Sequence, residues 1–510
     1  LALLPDLIAI HINDTHPSLV VPELMRILID DEGYGWDEAW NMTTRIVAYT
    51  NHTIMPEALE KWPIDVFREL MPRIYMIVEE INRRFCRELL EHYPGDDWRV
   101  RDMAIIADDV VKMAHLAVVG SFSVNGVAAV HTELLKHVVM KDFYDYYPAK
   151  FNNKTNGITH RRWLVKANPG LSALITDAIG PAWQQDPAEL KFLRKMQGDS
   201  ALYEKMARVK RENKERLARY IEEANHVRVD PESIFDAQVK RIHAYKRQLL
   251  NALHIHYLYG RILEEPDLDI VPRTFIFAGK AAPSYYFAKT VVKYINELAS
   301  LVNNDRVARR KIRVVFLENY NVGLAELIFP ASDVSEQIST ASKEASGTGN
   351  MKFMMNGAVT LGTNDGANIE IRQLVGDENF VLFGLGVDEV LALQQGGYNA
   401  GEIFRGDNRL MQVINQLVYG DVFPGVPPET FTSITRALLE YNDEFFVLKD
   451  FAAYADAQQK IDGLYRNVNT WQGMALMNIA MSGHFSSDNT IRQYASEIWK
   501  IRRCVPRQLD

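Results

Sequence analysis

The segment Glu344-Ala-Ser-Gly-Thr-Gly-Asn-Met-Lys352 is the densest in candidate chemistry. Ser346, Gly347, Thr348 and Gly349 can turn several backbone N–H groups toward one point at the start of a helix, an arrangement that binds phosphate. Lys352 then falls in the first helical turn. An amine beside such a nest suits pyridoxal phosphate (PLP), whose aldehyde and phosphate arm sit on adjacent ring carbons. A nucleotide would need no such amine. The spacing is not that of a Walker A loop, and no strand runs directly into the segment as in a dinucleotide fingerprint. The competing reading is a glycine-rich helix start with a solvated lysine.

Lys240-Arg241-Ile-His-Ala-Tyr245-Lys246-Arg247 places four cations at the end of a predicted strand. Such a cluster can hold a dianionic phosphate, with Arg241 bidentate and the lysines as point charges. A solvated basic helix start would have the same composition. Glu336 and Glu344 have seven residues between them, a spacing that recurs in two-domain sugar-transfer enzymes, where a carboxylate accepts hydrogen bonds from sugar hydroxyls. His11, Asp14 and His16 carry metal-ligating atoms, but strand alternation sends neighbours to opposite faces and no second ligand cluster supports them, so no metal is expected. Asp14 and His16, in the loop after a strand, are better placed to meet a polar substrate. His52 follows the next strand in the same way. A serine-hydrolase elbow is absent from the sequence.

These residues need elements to position them. Short β-rich runs alternate with amphipathic helices, the pattern of parallel sheets wrapped by helices. Strands are expected at 7–13, 45–49, 235–239, 274–277 and 312–316, and helices at 65–93, 201–225, from Tyr245, and at 285–301, 451–464, 471–481 and 490–502. Pro22 and Pro56 are read as helix openers. The polar turn Asn152 to Gly157 is the best place for a hinge. Two parallel α/β domains would bind ligand at the carboxyl ends of their strands.

The chain has 510 residues, 47% of them apolar and 24% charged, the balance of a soluble globular protein. Its net charge, 57 − 66 = −9, argues against nucleic acid or an anionic membrane as partner. Cys86 and Cys504 are too few for a disulfide framework, which suits a cytoplasmic location. No apolar run is long enough to span a bilayer.

The same stretches resemble the α-glucan phosphorylases (glycogen, starch and maltodextrin phosphorylases). Glu344 through Gly357, continuing as Gly362-Thr-Asn-Asp-Gly-Ala-Asn-Ile-Glu370, is similar to that family's PLP-attachment signature. Asn13-Asp-Thr-His-Pro17, Tyr49-Thr-Asn-His-Thr53, Asn153-Lys-Thr-Asn-Gly-Ile-Thr159 and Gln238-Val-Lys-Arg-Ile-His243 match as well. The resemblance runs in family order from about residue 10 to about residue 500.

The resemblance implies a GT-B fold of two Rossmann-like domains flanking a cleft. It would divide the chain into 1–153, the later part of an N-terminal domain; 154–485, the PLP-binding domain; and 486–510, a helix crossing back to the first. The first domain is expected to be truncated, with Leu1 marking an interruption. Lys352 would then hold PLP, with Thr348, Gly349 and Lys240 around its phosphate and Tyr320 and Trp163 as further contacts. Arg241 and Lys246 would bind the substrate phosphate. His52, Asn156, Glu344, Ser346 and Gly347 would meet glucose, and Asp14, His16 and Tyr245 would lie near the sugar or the acceptor chain.

The implied activity is a hexosyltransferase, EC 2.4.1.1. It moves the terminal α-1,4-linked glucosyl unit of a glucan to orthophosphate, giving α-D-glucose 1-phosphate. The PLP phosphate acts as proton shuttle, and Lys240, Arg241, Lys246 and His52 form the catalytic group. The family is homodimeric, but most dimer contacts and regulatory segments would be missing here, and weak or no turnover is expected of the chain as given. Asn321 stands where animal relatives carry Arg, and His160 where they carry Pro. The alternatives are a nucleotide-sugar GT-B glycosyltransferase and a non-catalytic glucan- or PLP-binding fragment.

Overall fold

The computed structural model describes residues 2–55, 58–419 and 422–501. Pro56 and Cys504, and Arg502 at the end of the last expected helix, lie outside them. The described residues of 1–156 and 490–510 form one compact unit, and 157–489 form the other. The sequence reading put the junctions at 153 and 486.

The first unit has seven strands: β1 (Ile10–Asn13), β2 (Val47–Thr50), β3 (Lys61–Pro63), β4 (Ile106–Ala107), β5 (Val110–Lys112), β6 (Ser123–Gly126) and β7 (Phe151–Asn153). Four of them form a parallel sheet in the order β1-β2-β6-β7. The other three form a small antiparallel sheet. Ile12, Val47, Tyr49 and Val124 anchor the sheet in an apolar core with Leu116, Val118 and Phe85. At the carboxyl edge, register aligns Asn13, Thr50, Asn125 and Asn152 in one polar row. The described residues 490–501 lie on this unit. Tyr494 Oη accepts from Asn125 Nδ2 at 2.9 Å, and Trp499 Nε1 donates to His11 Nδ1 at 3.0 Å.

The second unit has six parallel strands: β8 (Ile234–Val239), β9 (Arg273–Ala278), β10 (Ile312–Leu317), β11 (Val334–Gln337), β12 (Val359–Gly362) and β13 (Val381–Leu382). Their order, β10-β9-β8-β11-β12-β13, is that of a doubly wound sheet. β8 and β9 are buried at every position, as expected of strands covered by helices on both faces. The covering helices include Ser200–Asn225, Gln248–Glu264 and Tyr286–Asn304. Asp199 caps the first of these by accepting from Leu202 N. Fully buried Phe and Leu side chains such as Phe235, Phe275 and Leu253 each contribute about 1.5–3 kcal/mol.

Several expected elements differ. Residues 4–7 are helical, and the first strand starts at Ile10. Arg45 and Ile46 end the helix Trp36–Ile46, so the second strand starts at Val47. The stretch 65–93 is two helices, Ile64–Leu70 and Pro72–His92, because Pro72 keeps Met71 out of helical conformation. Pro22 lies inside the helix Val20–Arg26 and not at its start. The helix expected from Tyr245 starts at Gln248, after a short turn and a left-handed Arg247. At the end of the chain a helix at Ser487–Gln493 passes into a wider turn at Tyr494–Ile498. No helix of the described residues is long and apolar enough to cross a membrane.

Candidate functional site

The sheet order of the second unit sets the carboxyl ends of β8 and β11 side by side where the order reverses, the place where such sheets take ligands. Lys240 follows β8, and Gln337 closes β11. Lys240 Nζ donates to Gln337 Oε1 at 2.7 Å. Its backbone N–H is held by Ala278 O at 3.0 Å. That approach requires Gly279, since a Cβ there would stand 1.9 Å from Lys240 O. Burial, and then the charge of Lys246, push the Lys240 ammonium down to about 8. A cation beside a second cation, with a neutral amide as its direct partner, gains strongly from an anion.

Lys246 donates from Nζ to Glu344 Oε2 and lies 4.6 Å from the centre of the Tyr245 ring. Burial alone would lower the Lys246 pKa and raise that of Glu344. Their mutual attraction outweighs it on both sides, leaving Lys246 above and Glu344 below its ordinary value. The Tyr245 phenol is pushed up to about 12 by burial and by Glu344. The Glu344 segment lies on the turn Asp365 to Ala367, where Ala367 N donates to Ser346 O at 2.9 Å. Gly366 (φ +51°) is required there, because a Cβ would stand 2.7 Å from Ser346 O.

Lys352 lies in the helix Gly349–Met355, with Nζ 4.3 Å from the centre of the Trp163 ring and 5.8 Å from that of Phe329. Trp163 is fixed through its carbonyl, which accepts from Asn356 Nδ2 at 2.9 Å. Burial lowers the Lys352 pKa. Among the described residues no carboxylate lies within ion-pair distance of its amine. A partly desolvated lysine without a counter-charge is suited to react with an aldehyde. Gly347 (φ +75°) turns the chain into this helix, and Thr348 O accepts from Lys352 N at 3.2 Å.

In the first unit the loops after β1, β2 and β7 carry Asp14, His16, His52 and Asn156. The ladder continues past the strand ends, with Asp14 N on Thr50 O at 2.9 Å and Asn156 N on Val127 O at 3.0 Å, so these loops start from fixed points. Asp14 is left-handed (φ 70°) and accepts from Thr15 N at 2.8 Å. His52 Nε2 bonds Asn13 Oδ1. Burial lowers the His52 pKa, the Asp14 charge opposes this and His16 adds to it, which places the three groups in one electrostatic neighbourhood.

A family model described as carbohydrate phosphorylase matches residues 1–501. The chain belongs to the carbohydrate phosphorylase family. It is 58% identical over 496 residues to the glycogen phosphorylase of Bacillus subtilis (strain 168), covering 97% of this chain and 62% of that protein. It is 50% identical over 500 residues to the muscle forms of Oryctolagus cuniculus and Homo sapiens, covering 98% of this chain and 59% of each. The chain thus spans about three fifths of the length of these relatives. The family match starts at residue 1 and does not by itself support an interruption there.

The second unit brings Lys240, Tyr245, Lys246 and Glu344 together, and sets Lys352 on Trp163. The hydroxyl of Tyr320 and the exposed guanidinium of Arg241 have no hydrogen-bond or ion-pair partner among the described residues. Two readings of the sequence need correction. Arg247 is not part of the cation cluster: it is fully buried, with Nη1 on Asp450 Oδ2 at 2.6 Å and Nε on Ile338 O at 2.7 Å. Glu336 does not share a pocket role with Glu344. Strand alternation sends it to the face opposite Gln337, where Gln458 Nε2 donates to it at 2.7 Å beside Asp236. Sequence reasoning also missed Gln337, Asp365 and Gly279. An Asp-Gly pair signals a turn, but nothing local says which segment that turn supports.

Proposed function

We propose that the chain carries α-glucan phosphorylase chemistry on a GT-B architecture. The reaction moves the terminal α-1,4-linked glucosyl unit of a glucan to orthophosphate, giving α-D-glucose 1-phosphate. The observation that carries this reading is Lys240, a partly buried ammonium at the sheet's reversal point with an amide as its direct partner and Lys246 beside it. That arrangement calls for phosphate. The names of the relatives at 50–58% identity favour this reading over a nucleotide-sugar transferase or a non-catalytic fragment.

The residues present fit PLP. Lys352 would hold it, Thr348, Gly349 and Lys240 would surround its phosphate, and Trp163 and Tyr320 would supply further contacts. When bound, PLP supplies a phosphate group able to exchange a proton with the substrate phosphate. Arg241 and Lys246 bind and orient orthophosphate, and their charge offsets that of two anions held close together. Glu344, kept ionised by Lys246, accepts from sugar hydroxyls, with Ser346 and Gly347 alongside. For the loops of the first unit we assign sugar contacts to His52 and Asn156, and contacts near the sugar or acceptor chain to Asp14 and His16. Partners are then α-1,4-glucan, orthophosphate and glucose 1-phosphate, with a cytoplasmic location as the family expectation.

The test is glucose 1-phosphate release from a maltodextrin and orthophosphate, with the PLP absorbance of the purified protein as a second readout. Lys352→Ala is expected to lose both the chromophore and any turnover. A chromophore retained in that variant would overturn the assignment.

A further inference from the structure

A basic patch of this net-acidic chain lies away from the site above, at the opposite end of the six-stranded sheet. A cavity of about 260 Å³ opens beside the amino ends of β9 and β10, lined by Arg228, Arg309, Arg310, Lys311 and Arg313, with Asp230 as a facing acid. Arg273 also reaches it, but its guanidinium is engaged with Asp236 and Gln458. Arg228 is paired with Glu222. Lys311 Nζ donates to Leu268 O at 2.6 Å, and Arg313 Nη1 to Asn303 O at 3.1 Å, so both are held by neutral carbonyls.

Arg309 and Arg310 are exposed, and no carboxylate lies within ion-pair distance of either, or of Arg313, among the described residues. Burial, and then the charge of Arg309, push the Arg313 pKa down. Like charges gathered without counter-charges repel one another, and an anion with several oxygens relieves that repulsion while engaging guanidinium forks. Counting Arg309, Arg310, Lys311 and Arg313 against Asp230, 4 − 1, leaves a local charge of +3. A diphosphate carries about three negative charges near neutral pH.

We propose that this cavity is a second anion site, built on Arg309, Arg310, Lys311 and Arg313, for a small molecule bearing a diphosphate group. It is separate from the phosphate site at the carboxyl ends of the strands and does not depend on that reading. Cations on an outer strand such as β10 also hinder sheet-to-sheet pairing, and the experiment separates the two roles.

Inorganic pyrophosphate is titrated calorimetrically into the full chain at low salt, and into Arg309→Gln/Arg310→Gln and Lys240→Met. The double arginine variant is expected to lose one pyrophosphate equivalent, or to bind it at least tenfold more weakly, with an unchanged circular dichroism spectrum. Lys240→Met is expected to keep that equivalent. ADP binding as tightly as pyrophosphate would show recognition of the diphosphate alone, and tighter binding would show that the organic part also contributes. Unchanged pyrophosphate affinity in the arginine variant, with or without faster aggregation, would overturn the proposal, as would sulfate binding as tightly as pyrophosphate.

Discussion

Asp365 Oδ2 accepts the backbone N–H of Glu344 at 2.9 Å, while its Oδ1 accepts that of Ser342 at 3.0 Å. Oδ2 also takes the Ser339 hydroxyl at 2.7 Å. Ser342 is left-handed (φ 73°), a conformation costly for a residue with a Cβ, so the carboxylate offsets strain in the segment that delivers Glu344. The Lys246–Glu344 pair is thus set from both sides: Lys246 by the turn after β8, and Glu344 by Asp365.

Asp365→Asn tests that dependence. The amide presents an N–H where two backbone N–H groups and a hydroxyl now donate, so one of them loses its acceptor. A displacement of about 1 Å at a substrate contact can cost ~100-fold in rate. On the function proposed above, the variant is expected to lose roughly ten- to a hundredfold in kcat/KM for phosphorolysis while keeping its PLP absorbance. Kinetics equal to wild type would show that Glu344 does not depend on Asp365.

The Asp365 carboxyl is raised by burial to about 7, above its unfolded value. Its contribution to stability is therefore fully present below the unfolded pKa and is lost as pH rises through about 7. Urea midpoints from pH 5 to 8 should fall more steeply in wild type than in Asp365→Asn, which cannot ionise there. Equal slopes would count against a buried charge at this position.

Lys240 gives a second pH signature. Its folded pKa of about 8 lies below the unfolded value, so its contribution to stability grows as pH rises from 8 toward 10. Anion binding runs the other way, because Lys240 is half deprotonated at about 8 and loses its charge as pH rises through that value. Sulfate, which does not titrate in this range, should bind progressively more weakly from pH 7 to pH 9, and Lys240→Met should flatten that dependence. A wild-type affinity independent of pH would remove Lys240 from the anion site.

Much of this arrangement was legible in the sequence because its signals are local. β-rich runs such as 274–277 and 312–316 announce strands, and the Lys240 to Lys246 cluster and the Ser346 to Lys352 turn announce charge and backbone donors. β11 was not legible. Three of its four residues, Ser335, Glu336 and Gln337, are polar yet buried, since a strand at the ligand-binding reversal point carries hydrogen-bonding groups where a core strand would carry Val or Ile. The partners Gln337 and Asp365 were equally hidden. Each acts across a gap in sequence, Lys240 to Gln337 and Glu344 to Asp365, and pattern reading sees neighbours along the chain and not across a sheet. Arg247 shows the converse: a cation beside a cation cluster reads as part of it until Asp450 is found against it.

Gly279 is where backbone packing limits the site. Any side chain there meets Lys240 O at 1.9 Å and Ile242 Cδ1 at 3.2 Å, so Gly279→Ala must part the ends of β8 and β9. Overpacking of this kind costs about 1–3 kcal/mol, and the displaced Lys240 should bind sulfate at least tenfold more weakly. Chemical denaturation and the same sulfate titration read the two effects. A fully stable variant with wild-type sulfate affinity would show that the strand ends tolerate the separation.

The terminal segment of the first unit depends on His11 staying neutral. Trp499 Nε1 donates to His11 Nδ1, whose other nitrogen lies 2.6 Å from Thr50 Oγ1. Burial, and then the charge of His52, push the His11 pKa down to about 4. The folded pKa lies below the unfolded one, so the stability this contact supplies is present above about 6.5 and is lost as pH falls through 4. Protonation removes the acceptor that Trp499 uses, and the chain from 494 to 501 should loosen before the sheet beneath it. Hydrogen exchange resolved by segment is expected to show 494–501 losing protection between pH 6 and pH 4 while 47–50 and 123–126 keep theirs. Tyr494→Phe removes a further attachment, to Asn125 and Thr50, at a cost of about 0.5–1.5 kcal/mol, while the Lys154–Glu497 pair remains, and should shift that loss of protection to higher pH. Loss of protection in all three segments together would mean that the contact has no local role.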